Sequence, residues 1–404
     1  MKILFLMLQL APEGKGGGMY ANLAEEFAKH GHSVTVVAPD VNHAKTFIGT
    51  ERGLRVLRVG SMATQGVKNM IKKGIALALL PHCFKKAYDK YLKKEKFDWI
   101  FMPTPPITLS NFVGYVKKHS GAKFYLILRD IHPQSVASIG LLKFKWMYNY
   151  LDSKARCGYA NADLIGCMSQ GNIDFITSQY PDLDCKKLVL LYNWLESPMQ
   201  GTTDSDIRSK FGLSDKFVAL FGGTIGYGQR IENIVFLAEH YKPNDNIVFL
   251  VIGKGVEKAR LESIAKEKSL TNIRFINFMP QQDYLNFVRS VDVGLVTINE
   301  KYRVPTCPSK AVSYMSLGIP VFAMINPNSD YGQVIENAGA GFWTVGSDKE
   351  RTVMLFDKMI ADVDLRKKMG KCGLDFYANN CTPQVAYSTM MQQMEAKDVR
   401  KEKA

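Results

Sequence analysis

The sequence predicts an α/β protein made of two doubly wound parallel-sheet domains facing a central cleft. Three observations predict it. The chain has 404 residues, and roughly 100–200 residues per domain favours two domains. Short apolar runs alternate with segments of helical period through both halves, the pattern of β-α-β units and parallel sheets. A polar, punctuated stretch, Leu195–Ser205, separates the two series. The expected division is residues 1–195, residues 206–383, and a helix and tail at 384–404 that packs back on the first domain. In such sheets ligands bind beyond the carboxyl ends of the strands, where loops meet helix N-termini. The glycine loops of both domains should therefore point into the cleft.

The elements follow in order. Lys2–Gln9 is an apolar run closed by Pro12-Glu13-Gly14, a buried strand rather than a signal peptide, since no small-x-small cleavage site follows. Gly14–Gly18 is a loop. Met19–His30 places Leu23 and Phe27 one turn apart, with Gly31 as its stop, and reads as a helix. Ser33–Ala38 is a β-branched strand ended by Pro39-Asp40, and Leu54–Val59 is another. Basic helices fill Ser61–Lys96. Trp99–Met102, Phe124–Leu128, Leu164–Cys167 and Leu188–Leu191 read as strands, with helices at Thr108–Lys118, Leu141–Ala160 and Asn172–Gln179. In the second half Phe217–Phe221, Ile247–Ile252, Ile273–Ile276, Val293–Val296 and Val321–Ala323 are strands. Helices are expected at Ile231–His240, Val256–Glu267, Gln281–Ser290 and Ser309–Leu317. The remainder reads as helical to about Gln393, followed by a fraying charged tail.

Composition narrows the function classes. Apolar runs reach about eight residues, far short of the ~20 that a membrane span needs. Seven cysteines, none in a C-x-x-C pair, argue against a disulfide framework or zinc site and fit a reducing cytoplasm. Formal net charge is +14, and the excess is uneven. Residues 1–195 hold 26 Lys/Arg against 14 Asp/Glu, whereas residues 196–404 hold 26 against 24. Ser61–Lys96 is densest, with Lys72, Lys73, Lys85, Lys86, Lys93 and Lys94 interleaved with apolar residues. A basic amphipathic segment suits an anionic membrane surface, here the inner face of the plasma membrane. Nucleic acid is not expected as a partner, because no recognition motif accompanies the charge.

Several motifs carry chemistry. Gly14-Lys15-Gly16-Gly17-Gly18 joins a strand to a helix, where glycine lets the backbone approach a ligand and free N–H groups attract anions. Met19 breaks the G-x-G-x-x-G pattern, so a dinucleotide site is not supported. Gly222–Gly226 has the same placement in the second domain, with Gln229 and Arg230 at the next helix entrance. Gly253-Lys254-Gly255 follows a strand and opens a helix. Lys310 sits in the first turn of a helix that Ser309 would cap. A cation there is unfavourable to the helix dipole unless an anion shares the site. Asp130 ends a buried strand, with His132 two residues on, and the pair could perform acid–base work or hold sugar hydroxyls. Three D-x-D matches, at Asp182, Asp204 and Asp362, are too frequent to mark a metal site, and no metal is expected.

Taken together these pieces resemble a retaining GT-B glycosyltransferase of family 4, the large nucleotide-sugar-dependent family. The resemblance rests on Ala11–Gly18, Leu23-Ala24 and Gly31–Val36, then Gly223–Gly226, Gln229 and Ile231-Glu232. It continues through Val251–Gly255, Asp292–Leu295, Pro308-Ser309-Lys310, Tyr314-Met315 and Gly318-Ile319-Pro320. The subgroup it is most similar to builds O-antigen or capsule in bacteria and includes enzymes resembling fucosamine transferases. Its R-D-L-W-P-E-S run stands here as Arg129–Ser135. The resemblance implies sugar transfer from a nucleotide diphosphate sugar, UDP-sugar favoured, to a lipid-linked or glycan acceptor. No cofactor is implied, since the nucleotide sugar is a co-substrate. Gly16, Gly17 and Gly18 would lie against the donor diphosphate together with Thr224, Gln229, Arg230, Ser309 and Lys310. Thr224 and Gln229 stand where many relatives have Arg and Lys. Pro308 and Ser313 would face the donor sugar and ribose, with Ser313 replacing the usual glutamate. Gly253, Lys254 and Gly255 would form a nucleotide loop. The catalytic-position histidine of many relatives aligns near Pro103, which leaves Asp130, with His132, as the catalytic candidate. Two alternatives accompany this reading: a catalytically weakened GT-B subunit acting as a binding partner, and a GT-B sugar-nucleotide epimerase.

Overall fold

The structure, a computed structural model, describes residues 1–11, 18–40, 42, 44–64, 69–142, 144–196, 207–277 and 281–402. The chain forms two units. Residues 1–196 and 383–404 make the first, and residues 197–382 make the second.

The first unit opens with β1 (Lys2–Leu6), α1 (Gly18–Lys29), β2 (Ser33–Pro39), β3 (Phe47–Glu51), β4 (Leu54–Val59) and α2 (Met70–Tyr91). It continues with β5 (Trp99–Pro103), α3 (Ser110–Ser120), β6 (Lys123–Leu128), α4 (Gln134–Ser138), α5 (Lys145–Asn161), β7 (Leu164–Cys167), α6 (Gln170–Gln179) and β8 (Leu188–Leu190). The sheet order is β3-β4-β2-β1-β5-β6-β7-β8, parallel except for the antiparallel edge pair β3–β4. β1 pairs with β2 on one side and β5 on the other, in register Lys2 to Ser33 and Ile3 to Trp99. Successive connections diverge there, so the crevice at the carboxyl ends of β1 and β5 is the expected ligand position. β5, and β1 and β6 after their opening lysines, are apolar because helices cover both sheet faces.

The second unit contains α7 (Ile207–Lys210), β9 (Phe217–Gly222), α8 (Glu232–His240), β10 (Ile247–Ile252), α9 (Lys258–Glu267), β11 (Ile273–Ile276), α10 (Gln281–Val288) and β12 (Val293–Thr297). α11 (Ser309–Met315), β13 (Val321–Met324), α12 (Tyr331–Asn337), β14 (Gly341–Thr344), α13 (Lys349–Ala361) and α14 (Val363–Asn380) complete it. Its parallel sheet runs β11-β10-β9-β12-β13-β14. The switch point lies between β9 and β12, which puts the Gly222–Gly226 loop at the ligand-binding end.

α15 (Pro383–Glu402) returns to the first unit and packs on α1. Ala386, Met390 and Met394 enter the core with Phe5, Phe27 and Phe101. Tyr387 stacks on His30 with ring centroids 4.0 Å apart. Tyr125 Oη donates to Gln393 Oε1 at 2.6 Å, and Gln393 Nε2 donates to the Leu190 carbonyl at 2.8 Å.

The structure corrects several expectations. One helix, α2, replaces the expected pair of basic helices, and Lys93 and Lys94 lie beyond its end. Pro81 sits inside α2, whose Leu80, Phe84 and Tyr88 are buried. The expected all-helical remainder contains β14, where packing makes the strand. Trp343 covers Gly332, at which any Cβ would overlap its ring. The tail is helical to Glu402 because α15 has a core to bury. α5 starts at Lys145, not Leu141, since Phe144 is extended and forms its N-cap.

Candidate functional site

In the second unit the site is built around the end of β9. Tyr314, fully buried in α11, donates through Oη to the Leu220 carbonyl at 3.0 Å and accepts from Gly222 N at 3.1 Å. Its ring rests on Gly294, where a Cβ would overlap it. Positions i and i+4 share a helix face, so this anchor also places Lys310. Lys310 Nζ donates to Gln229 Oε1 at 2.9 Å and lies 4.8 Å from the centroid of the Phe221 ring. A Cβ on Gly223 would stand 2.6 Å from Lys310 Cε, and Gly223 has φ +132°. Glycine is therefore required there twice, for its backbone conformation and for the lysine's path. Burial pushes the Lys310 ammonium down to about 8, so it stays largely protonated at neutral pH. Among the described residues no carboxylate forms an ion pair with it.

The loops flanking Lys310 are fixed by their own hydrogen bonds. Asn299 N donates to the Gly228 carbonyl and Asn299 Nδ2 to the Tyr227 carbonyl, both at 2.9 Å. Buried Asn326 donates to the carbonyls of Tyr302 and Val304 and accepts from Thr306 Oγ1 at 2.8 Å. The approach to Pro308 is thereby held from two sides. Pro308 is the N-cap of α11 and makes no side-chain cap. Ser309, expected as the cap, lies one residue inside the helix and is exposed. The proline ring fixes φ at the capping position, which shifts the serine past it. Ser313 is half-buried one turn beyond Lys310.

Gly253 and Gly255 have a packing role. A Cβ on Gly253 would overlap the Gly223 carbonyl, and one on Gly255 the Ile225 carbonyl. Gly223 N donates to the Ile252 carbonyl at 2.8 Å and Ile225 N to the Lys254 carbonyl at 2.9 Å. The two glycine loops thus run backbone against backbone. Lys254 is exposed, and α9 begins only at Lys258, behind Glu257.

Arg230 is exposed and left-handed at φ 48°. Its carbonyl accepts from Thr297 Oγ1 at 3.1 Å, and Asn233 Nδ2 donates to the same hydroxyl at 3.4 Å. Lys349, which the sequence did not single out, donates to Asn233 Oδ1 at 3.4 Å and covers the Phe236 ring at 4.1 Å. Burial lowers its pKa; Glu300 acts in the opposite direction and Arg230 in the same one. Arg230 and Lys349 are a second cationic group near the start of α8. Tyr284 was also missed. It presses on Gly222, and burial pushes its hydroxyl up to about 12. Thr224 is exposed on the glycine loop.

In the first unit the corresponding strand end is that of β6. Arg129 is buried, and its guanidinium donates to the Leu191 carbonyl at 2.8 Å and the Tyr192 carbonyl at 3.3 Å. It lies 4.7 Å from the centre of the Trp194 ring, and Trp194 Nε1 donates to the Met19 carbonyl at 2.7 Å. Arg129 thus ties β6 to the chain after β8 and to the first turn of α1. Thr104 Oγ1, at the end of β5, accepts from the backbone N–H groups of Arg129 and Asp130. Asp130 keeps solvent-accessible surface, but the protein around its carboxyl raises its pKa, with His132 and Arg129 acting against the rise. His132 Nδ1 lies 2.8 Å from Ser135 Oγ; burial lowers its pKa and Asp130 opposes the fall. Desolvation by the surrounding protein therefore acts toward the neutral form of both groups, and their mutual attraction acts against it. Tyr20 is close enough for Asp130 and Arg129 to influence its hydroxyl, which burial pushes up to about 12.

Other expected positions are placed as follows. Gly18 opens α1 at φ +69°, while Gly16 and Gly17 lie outside the described residues. Lys72, Lys86, Lys93 and Lys94 are exposed and Lys73 is half-buried. Lys85 pairs with Asp89 at 2.7 Å and covers the Tyr115 ring. Asp184 caps the short helix Cys185–Lys187 and Asp362 caps α14, so two of the three D-x-D matches include a helix cap. Among the described residues no group of three or more His, Cys, Asp or Glu is placed to hold a metal ion, and no helix is long and apolar enough to cross a membrane.

Comparison with known proteins agrees with this architecture. Residues 203–375 match the family described as Glycosyl transferases group 1. The chain is 24% identical over 353 residues to WcaI of Escherichia coli (strain K12), whose name assigns it to glycosyl transfer in colanic acid biosynthesis; the match covers 83% of this chain and 86% of WcaI. It is 24% identical over 280 residues to WbjE of Pseudomonas aeruginosa, named as a glycosyltransferase, with 68% of each chain covered. Among solved structures, sucrose-phosphate synthase from Thermosynechococcus elongatus superposes with a TM-score of 0.73 at 14% identity, covering 99% of both chains. HepE of Anabaena, solved in complex with UDP-glucose, superposes with a TM-score of 0.70 at 14% identity, covering 98% of this chain and 100% of HepE. The chain is a glycosyltransferase of the GT-B fold, with a glycosyl transferases group 1 domain at residues 203–375.

Proposed function

We propose that this enzyme moves a sugar from a nucleotide diphosphate sugar, UDP-sugar favoured, to a lipid-linked or glycan acceptor in bacterial surface polysaccharide synthesis. The names of WcaI and WbjE support the reaction class and the setting, and the UDP-glucose held by HepE supports the donor. The observation that carries the reading is Lys310, a half-buried ammonium held by a neutral amide and an aromatic face with no ion-pair partner among the described residues. Such a charge is costly unless an anion uses it. As the glycosidic bond breaks, charge develops on the leaving diphosphate. Lys310, the loop amides after Gly222 and the Arg230–Lys349 group would meet it without a metal ion. Pro308 and Ser313 would face the donor sugar and ribose, and the exposed Thr224, Ser309 and Lys254 would line the donor's path. Retention of configuration belongs to the same proposal.

Asp130 and His132 would hold an acceptor hydroxyl, the histidine being oriented by Ser135. The lysines of α2 would hold the first unit at the anionic inner face of the membrane, with the lipid-linked acceptor. The test is UDP binding by calorimetry, with UDP release from UDP-sugars as the activity readout. Lys310→Met should weaken UDP about 10- to 100-fold, the range for losing a charge-assisted hydrogen bond. Equal affinity in wild type and variant would remove Lys310 from the donor site and the reading with it.

A further inference from the structure

We propose that Leu141, Phe144, Trp146 and Tyr150 form a wedge that inserts the first unit into an anionic lipid surface. The inference rests on the membrane-linked acceptor proposed above and moves the point of insertion away from the lysines of α2. These four side chains are 59%, 58%, 68% and 43% exposed, although each is large and apolar or aromatic. They occupy the segment before α5 and its first turns. Later in the same helix Ala155, Gly158 and Tyr159 are buried against the protein. α5 packs on α3 and on the short helix Ile107–Leu109, which α2 also contacts. α2 adds Ile75 and Leu79, each 47% exposed, and the exposed Lys72 and Lys86. Two helices that both pack on α3 and on the Ile107–Leu109 helix thus each present apolar side chains outward.

Charge selects the occupant. No acidic residue lies between Asp130 and Asp152, or between Glu51 and Asp89, and Lys145 stands between Phe144 and Trp146. Protein interfaces are enriched in aromatics but depleted in lysine. Aromatics interleaved with lysine suit the headgroup region, where rings sit at the boundary and ammonium groups meet anionic lipid. Lys85, spent on Asp89, contributes little to this surface.

The experiment uses the full chain with vesicles of phosphatidylcholine, alone or mixed with phosphatidylglycerol. Wild type should float with the mixed vesicles and not with phosphatidylcholine alone. Its tryptophan emission should shift to the blue through Trp146, 68% exposed, because Trp99 and Trp194 are buried and Trp343 is half-buried in the second unit. The triple variant Leu141→Ser, Phe144→Ser, Trp146→Ser should lose roughly 100-fold in partitioning, whereas Lys85→Glu should cost less than about threefold. Unchanged flotation of the triple variant, equal binding to neutral vesicles, or no emission shift would overturn the proposal. So would wild-type self-association in sedimentation that the triple variant abolishes without any vesicle binding. UDP titration in vesicle-free buffer is read separately. Its failure would sink the donor reading and leave the wedge standing.

Discussion

The ends of β6 and β9 both carry a cation, and the two cations do opposite things. Arg129 spends its guanidinium on two backbone carbonyls and an indole ring of its own unit. Among the described residues Lys310 is met by one amide oxygen and a phenyl face. The first is a tie that closes the sheet end and leaves a carboxyl, Asp130, beside it. The second is a charge held ready. A cation at a strand end is therefore not a ligand site by position; what its donors already reach decides.

Breaking each cation should separate stability from binding. Arg129→Met strips hydrogen bonds from the Leu191 and Tyr192 carbonyls and should destabilise the first unit by about 2–4 kcal/mol, read as a lower chemical-denaturation midpoint. Lys310→Met, applied to the same assay, should leave the midpoint unchanged or raise it, because a desolvated ammonium is replaced by an apolar chain. If both variants lost similar stability, the contrast would fail.

A smaller effect is expected from Gly223→Ala. The φ of +132° and the 2.6 Å approach to Lys310 Cε predict a loss of about 1–3 kcal/mol together with weaker UDP binding, since the lysine must move. The equivalent change at Gly18, with nothing within 4 Å of its Cβ, carries only the backbone cost.

Proton linkage sharpens the comparison further. Burial pushes the Lys310 ammonium down to about 8 in the free enzyme, and a bound diphosphate favours the charged form, so its pKa rises in the complex. UDP affinity should be nearly flat from about pH 7 to 8 and fall above it, by at most about tenfold per unit. Calorimetry across pH 7 to 10, an interval chosen to span roughly two units above that pKa, reads the slope. Lys310→Met should flatten it, and an unchanged slope in that variant would assign the titration elsewhere.

Much of the fold was legible because central parallel strands are buried on both faces. β5, β9 and β10, and β1 and β6 after their opening lysines, appear as unbroken apolar runs. β3 and β14 did not, since each is short, at an edge and only partly buried. Helical spacing misled at Leu141 and Phe144, which are apolar but face outward. At the site, Lys310 was visible from its place in a first helical turn, where a cation is unfavourable. Lys349 was not, because its partner Asn233 is 116 residues away. The packing role of Gly253 and Gly255 was likewise hidden, since it depends on the carbonyls of a loop some thirty residues earlier. Gly16 and Gly17 remain sequence expectations.

The return of residues 383–402 to the first unit has a consequence for synthesis. Met390 and Met394 complete a core that includes Ile3 and Phe5, yet the ribosome makes them only after the whole of residues 197–382. Domains generally mature in the order they emerge, but here the earlier lobe must wait, partly open, while its successor folds. Removing the final helix should thus leave the opening strands with an unfilled hollow, while the group 1 domain keeps all of its own sheet.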